Sequence, residues 1–221
     1  MARKLSRKEL KRDPFVTAIL NAWEYTREHQ GIIFAGLIIL MVVIFATVWM
    51  QNSSRGSRIE AITQFSEALS AFRMGDVKTA EQLFTMVQEN HGSTEAGVHA
   101  LYFIGKCELI AGNFTAAIES FDRYLSNSSK YNDFHDASMD GKGIALMNQQ
   151  KYAEAADLYS ELARSIKTNT FMEKVYLRRA ADNYKFSNQP ARAVEIMQQL
   201  LEKTTGIERR DLEVELAILS G

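Results

Sequence analysis

The chain has 221 residues, one cysteine, two prolines and a formal net charge of −1. A lone Cys107 excludes an internal disulfide staple, and few prolines beside plentiful Ala, Leu, Glu, Lys, Gln and Met lean the chain toward helix. Charge is uneven: residues 1–30 hold seven Lys/Arg against four Asp/Glu, residues 31–50 hold none, and residues 51–221 hold 19 against 23, an acidic body without the basic face that a nucleic-acid partner needs.

Residues 1–30 read as a basic cytoplasmic tail. Arg3, Lys4, Arg7, Lys8, Lys11 and Arg12 cluster first, and Arg27 follows. From Pro14 to Gln30 the pattern suits an amphipathic juxtamembrane helix, with Phe15, Ile19, Ala22 and Trp23 on one face. It could lie on an anionic inner leaflet or serve only as a topology signal with a short frayed helix.

Residues 31–50, GIIFAGLIILMVVIFATVWM, carry no charge, Asn or Gln. Twenty helical residues span about 30 Å, the thickness of a bilayer's hydrocarbon core. A soluble core helix of that length would show a polar face, and this segment shows none. The run is too long for a cleaved signal, and no A-x-A site follows it. The expectation is an uncleaved transmembrane helix. The basic residues before it place the N-terminus in the cytoplasm and the rest of the chain across the membrane. Trp23, Tyr25 and Trp49 sit where interfacial aromatics belong. Residues 51–57, small and polar, read as a linker.

From residue 58 a pattern repeats. Four anchoring alanines, Ala80, Ala117, Ala155 and Ala193, are spaced 37, 38 and 38 residues apart. Twelve positions before each lies another small residue: Ala68, Gly105, Gly143 and Ala181. Four positions after each lies a large one: Phe84, Phe121, Tyr159 and Met197. Small residues meeting across two antiparallel helices would let them approach, and the large residues would fill the space toward the next pair. Gly75 and Gly112 end helices, and Pro190 opens one. The expected helices are 58–74, 77–90, 94–111, 114–125, 134–149, 152–167, 171–187 and 190–203. A capping helix at 207–219 would use Leu212, Leu216 and Leu219 to cover the last pair. Residues 126–133, SNSSKYND, read as a longer link between repeats. Cys107, within an expected helix, reads as a small packing residue.

These features resemble the tetratricopeptide repeat. The resemblance implies an all-α chain: an N-terminal transmembrane helix, then a TPR-like α-solenoid of about four helical hairpins over residues 58–221. It also implies a concave, partner-binding groove lined by the first helix of each pair. Carried onto this chain, the groove positions are Phe65, Leu69 and Phe72; Tyr102, Lys106 and Leu109; Asp140, Ile144 and Met147; and Arg178, Asp182 and Lys185. The row runs from apolar to charged, and its apolar end suits extended or unfolded polypeptide. Phe65, Leu69 and Phe72 could equally pack against a neighbouring helix. The Lys/Asn/Arg clamp with which some relatives hold a C-terminal carboxylate is missing, since Ala137 and Gly141 occupy two of its places.

No catalytic constellation is legible, and neither a metal nor a cofactor is expected. The histidines His29, His91, His99 and His135 show no metal spacing. Asp140-Gly141-Lys142-Gly143 lies inside an expected helix and lacks the phosphate-loop pattern. Three glycosylation sequons, at Asn52, Asn113 and Asn127, matter only in an endoplasmic reticulum lumen.

The whole layout resembles the YfgM-like ancillary subunits of the Sec translocon. It rests on the aromatic-bearing stretch Phe15 to Gln30 leading into the span, the short linker, and a repeat region starting Arg58-Ile59-Glu60-Ala61. That resemblance implies an anchor in the bacterial inner membrane and a periplasmic repeat domain. The implied partners are translocon subunits, periplasmic chaperones and unfolded secreted chains. The alternative is a scaffold for an envelope-assembly or cell-division complex.

Overall fold

The computed structural model describes residues 14–128, 133–166 and 170–220, and every regular element among them is an α-helix. They are α1 (Pro14–Glu28), α2 (Gln30–Arg73), α3 (Val77–His91), α4 (Glu95–Ala111), α5 (Phe114–Asn127), α6 (His135–Asn148), α7 (Tyr152–Ser165), α8 (Thr170–Phe186), α9 (Pro190–Glu202) and α10 (Gly206–Ser220). The chain divides into two compact units at Gly56/Ser57.

The first unit holds α1 and the N-terminal part of α2. Eleven large apolar side chains between Ile32 and Phe45 are each 52–74% exposed. No single helix among the described residues is long and apolar enough to cross a membrane, whereas Val16–Arg27 and Gln30–Phe45 meet length and composition together as a bent pair. The basic cluster from Arg3 to Arg12 and the side chains of Phe15, Ala22 and Trp49 lie outside the described residues. The expected linker at 51–57 is helical. Its sequence holds no proline, and one glycine costs only about 1 kcal/mol in a helix, so nothing there stops α2.

The second unit, Ser57–Gly221, is a run of helical hairpins in which each helix packs on the next from α3 through α10. Apart from the start of α2, the observed helix bounds fall within two residues of those expected. One further contact joins α4 to α6, the first helices of neighbouring hairpins. Nearest-neighbour packing of this kind is the mark of a solenoid.

The hairpin turns share one geometry. Gly75, Gly112, Gln150 and Asn188 have φ of 83°, 80°, 60° and 56°. The residue after each donates its backbone N–H five residues back: Asp76 to Ala71, Asn113 to Glu108, Lys151 to Leu146 and Gln189 to Tyr184. Each pair of helices is thus closed by a Schellman turn, which satisfies carbonyls that a helix end would leave unpaired. Two of the four left-handed positions are glycine and two are not. The next helix is then started locally, as where Asp76 Oδ1 accepts from the Thr79 N–H at 3.2 Å.

The repeat-packing residues are all buried: Ala68, Ala80, Phe84, Gly105, Ala117, Phe121, Gly143, Ala155, Tyr159, Ala181, Ala193 and Met197. Their pairing differs in one respect from the expectation that small meets small. A Cβ on Gly105 would lie 2.8 Å from the Phe121 ring, and one on Gly143 would lie 2.6 Å from the Tyr159 ring. The glycines of the first helices make room for aromatic rings of the second helices. Phe121 also reaches forward, where a Cβ on Gly141 would lie 2.5 Å from its ring. One ring therefore wedges between two first helices and sets their spacing.

Cys107 is fully buried among Ala68, Ala80, Phe84 and Ile104. Burial, aided by Glu81 and Glu108 and opposed by Lys106, pushes its thiol up to about 12.

Candidate functional site

The twelve expected groove positions share one burial state: each is half-buried, neither sealed in the core nor open to solvent. Phe65, Leu69 and Phe72 pack against the first core cluster. The Phe65 ring meets Phe84 edge-on at 5.3 Å and Phe103 at 5.5 Å, and Phe72 meets Phe103 at 5.8 Å. Packing against neighbours thus takes up much of these three side chains, so the apolar end of the row is partly closed.

In the second hairpin Tyr102 lies flat against Phe134, with centroids 4.5 Å apart and planes 2° apart. Phe134 belongs to the segment just before α6, and its N–H donates to the Tyr124 hydroxyl at 3.0 Å. Burial, then the charge of Asp140, raises the Tyr102 hydroxyl above its ordinary value. Lys106 Nζ sits 5.4 Å above Phe72 and 5.7 Å above Tyr102, a cation held over two aromatic faces. Leu109 packs on the cluster around Ala117 and Phe121.

In the third hairpin Asp140 pairs with Arg179 of the fourth, whose guanidinium lies over the rings of Tyr159 and Tyr176 at 5.4 and 5.9 Å. Met147 packs on the last core cluster, and Ile144 beside it is half-buried.

In the fourth hairpin the charged groove positions Arg178, Asp182 and Lys185 are joined in ion pairs. Arg178 Nη1 donates to Glu215 at 2.6 Å, Lys185 Nζ donates to Glu215 at 2.5 Å, and Asp182 pairs with both cations. Lys174 also reaches Glu208 at 3.2 Å. Glu208 and Glu215 belong to α10. The terminal helix therefore engages the groove residues of α8, while Leu212, Leu216 and Leu219 meet the core. Burial works against these charges, but the pairing prevails: Arg178 and Lys185 are raised, and Glu215 is held below the usual carboxylate value. A cavity of about 550 Å³ remains between α8 and α10, lined by Phe171, Lys174, Val175, Arg178, Arg179, Leu200, Glu208, Asp211, Leu212 and Glu215.

Sequence reasoning did not single out Phe103, Phe134, Tyr176 or Arg179. Arg179 carried a signal, an opposite charge 39 residues from Asp140, about one repeat away. Phe134 carried none, because it sits in a link whose path no periodicity fixes.

The sequence profile of the tetratricopeptide repeat matches residues 65–132. No curated protein sequence matches the chain. Solved structures of similar fold include a MamA RS-1 ArsTM double mutant, at 16% identity and a TM-score of 0.56, covering 72% of this chain and 82% of that one. Another is a Podosopora anserina protein of nearly identical TPR-like repeats, described as a kinesin light chain. It has 20% identity and a TM-score of 0.55, covering 74% of this chain and 85% of that one. A substituted variant of that protein gives 20% identity and a TM-score of 0.54 over the same shares of the two chains. The described residues thus include a TPR-like helical solenoid, a fold whose repeats serve protein–protein interaction.

Proposed function

We propose that the chain is a membrane-anchored adaptor that binds other proteins and performs no catalysis. The observation that carries the binding role is the half-buried row from Phe65 to Met147. Its rings and aliphatic groups keep part of their surface for a partner while the core fixes their positions. Lys106 above two rings and Asp140 beside Arg179 add polar points that could orient an extended chain.

The anchor is residues 31–50. Fully burying a Leu- or Phe-sized side chain is worth about 1.5–3 kcal/mol, so the eleven exposed side chains from Ile32 to Phe45 would forgo tens of kcal/mol in water. A bilayer removes that cost. The basic residues before the span favour a cytoplasmic N-terminus, which would put the repeats on the periplasmic face of a bacterial inner membrane. On this reading the partners are translocon subunits, emerging secreted chains and periplasmic chaperones, as the resemblance to YfgM-like subunits implies.

Photocrosslinking from Tyr102 and Ile144 in intact cells, followed by identification of the adducts, tests both halves. Translocon subunits and secreted chains are expected. Septal or outer-membrane assembly proteins instead would replace this reading with that of an envelope scaffold. Cytoplasmic adducts would overturn the orientation.

A further inference from the structure

Glu95 and His99 stand one turn apart on α4, and Asp133 comes from the segment preceding α6. One ligand atom from each lies within 4.8 Å of the other two. His99 Nε2 is 3.3 Å from Asp133 Oδ2. Two ligands bound to zinc at 2.0–2.1 Å and a tetrahedral angle lie about 3.3 Å apart. We propose that these three residues form a site for a divalent transition-metal ion, zinc in the first instance, with open positions left for water or a partner's group.

The surroundings hold the donors in place. The His99 ring meets Phe134 edge-on at 4.9 Å and 81°, and Phe134 is itself stacked on Tyr102 and bonded through its N–H to Tyr124. Asp133 immediately precedes Phe134, so the aromatic clamp that fixes one also delivers the other's carboxylate to the imidazole. Such fixing of ligands by neighbours is what a metal site needs. The site also has space beside it. A cavity of about 220 Å³ borders Glu95 and His99, and its far wall includes Ile62 and Phe65. Arg58 lines the same cavity, and two carboxylates outweigh its charge at the donor cluster.

Two carboxylates and one imidazole are borderline-hard donors, suited to zinc and not to a soft thiolate-seeking ion. A bound ion would join α4 to the entry of α6 beside the Tyr102–Phe134 stack. It would stiffen the second and third hairpins against each other at the centre of the partner-binding row. This inference does not depend on the membrane reading or on the identity of the partner.

The test uses the untagged full chain in detergent micelles, stripped with a chelator and titrated with Zn²⁺ by calorimetry and with Co²⁺ by visible absorption. One ion per chain is expected, with a cobalt spectrum showing nitrogen and oxygen ligands and a Zn²⁺-dependent rise in Tm. In Glu95→Gln and Asp133→Asn the affinity should fall about ten-fold or more each, while metal-free Tm values stay near that of the parent. Absence of saturable binding would leave His99–Asp133 an ion pair only and overturn the proposal. Binding of equal strength in the Glu95→Gln/Asp133→Asn double variant would place the ion elsewhere and overturn it as well.

Discussion

The four hairpin turns differ by a single atom-level choice. Gly75 and Gly112 adopt positive φ at no steric cost, while Gln150, at 60°, carries a Cβ in a conformation that costs an L-residue roughly 1–2 kcal/mol. Gln150→Gly should therefore stabilise the protein by about 1 kcal/mol, after the entropy that glycine adds to the unfolded chain is subtracted. Thermal unfolding should show a gain of about 2–4 °C. Asn188→Gly should gain less, because asparagine tolerates this region. Gly141 gives the opposite sign. In an open helix Gly→Ala gains up to about 1 kcal/mol, but here the new methyl would meet the Phe121 ring at 2.5 Å. Overpacking of this kind costs about 1–3 kcal/mol, so Gly141→Ala should destabilise. A double-mutant cycle with Phe121→Leu should recover much of the loss, and additive effects would remove the wedge explanation. Glu108 tests burial in another way. Burial holds its carboxyl above the ordinary value, opposed by a hydrogen bond from Ser120 and aided by Glu81 and Glu119. A raised acid pKa means the native state keeps its proton longer, so stability is lost as pH rises from the unfolded value through the folded one. Glu108→Gln should remove that loss, and urea titrations should show its advantage at neutral pH and little difference below pH 4.

Among the elements, α10 carries the most consequence for function. It is tied to α8 by Glu215 to Arg178 and Lys185 and by Glu208 to Lys174, and to the core by Leu212. Glu215 is held below its ordinary value, so its contribution is present above the unfolded carboxylate value near 4.5 and is lost as pH falls through the folded one. The protection factors of the α10 amides, measured against their intrinsic exchange rates, should therefore fall below about pH 4.5, ahead of those of α4 and α5. Glu215→Gln should bring that loss of protection to neutral pH. Equal protection of α10 at both pH values would mean that Leu212 and its neighbours alone hold the helix. The charged end of the row is accordingly paired and half-buried, and a partner reaching Arg178 or Lys185 would have to compete with Glu215.

For the whole repeat domain, the core is divided. One large cluster lies around Phe84 and Cys107, and another runs from Met139 to Leu212, with smaller ones around Tyr124 and Phe121 between them. Stability in such an array is close to a sum of repeat and nearest-neighbour contributions, so damage at one end should be felt weakly at the other. Cys107 is a native probe of the first end, buried and with its thiol pushed up to about 12. A chain ending at Thr205 should loosen α8 and α9, seen by faster amide exchange there, while the rate at which a thiol reagent labels Cys107 stays within about two-fold. A matching rise in Cys107 labelling would show that the unit opens all at once.

The helices from Val77 onward and their order were legible in the sequence, because apolar periodicity and small residues at fixed spacing are local consequences of helix geometry. So were the turns at Gly75 and Gly112, where only glycine is at ease. Three things depended on tertiary contact. The glycines of the first helices proved to face the rings of Phe121 and Tyr159, which spacing alone does not distinguish from facing alanine. The charged end of the row proved to be engaged by α10, because which acidic residues of a terminal helix reach Arg178 and Lys185 is decided by how that helix docks. Asp133 and Phe134 proved to reach back to His99 and Tyr102, because the path of a link between repeats is set by what its side chains can pack against and not by any period of its own.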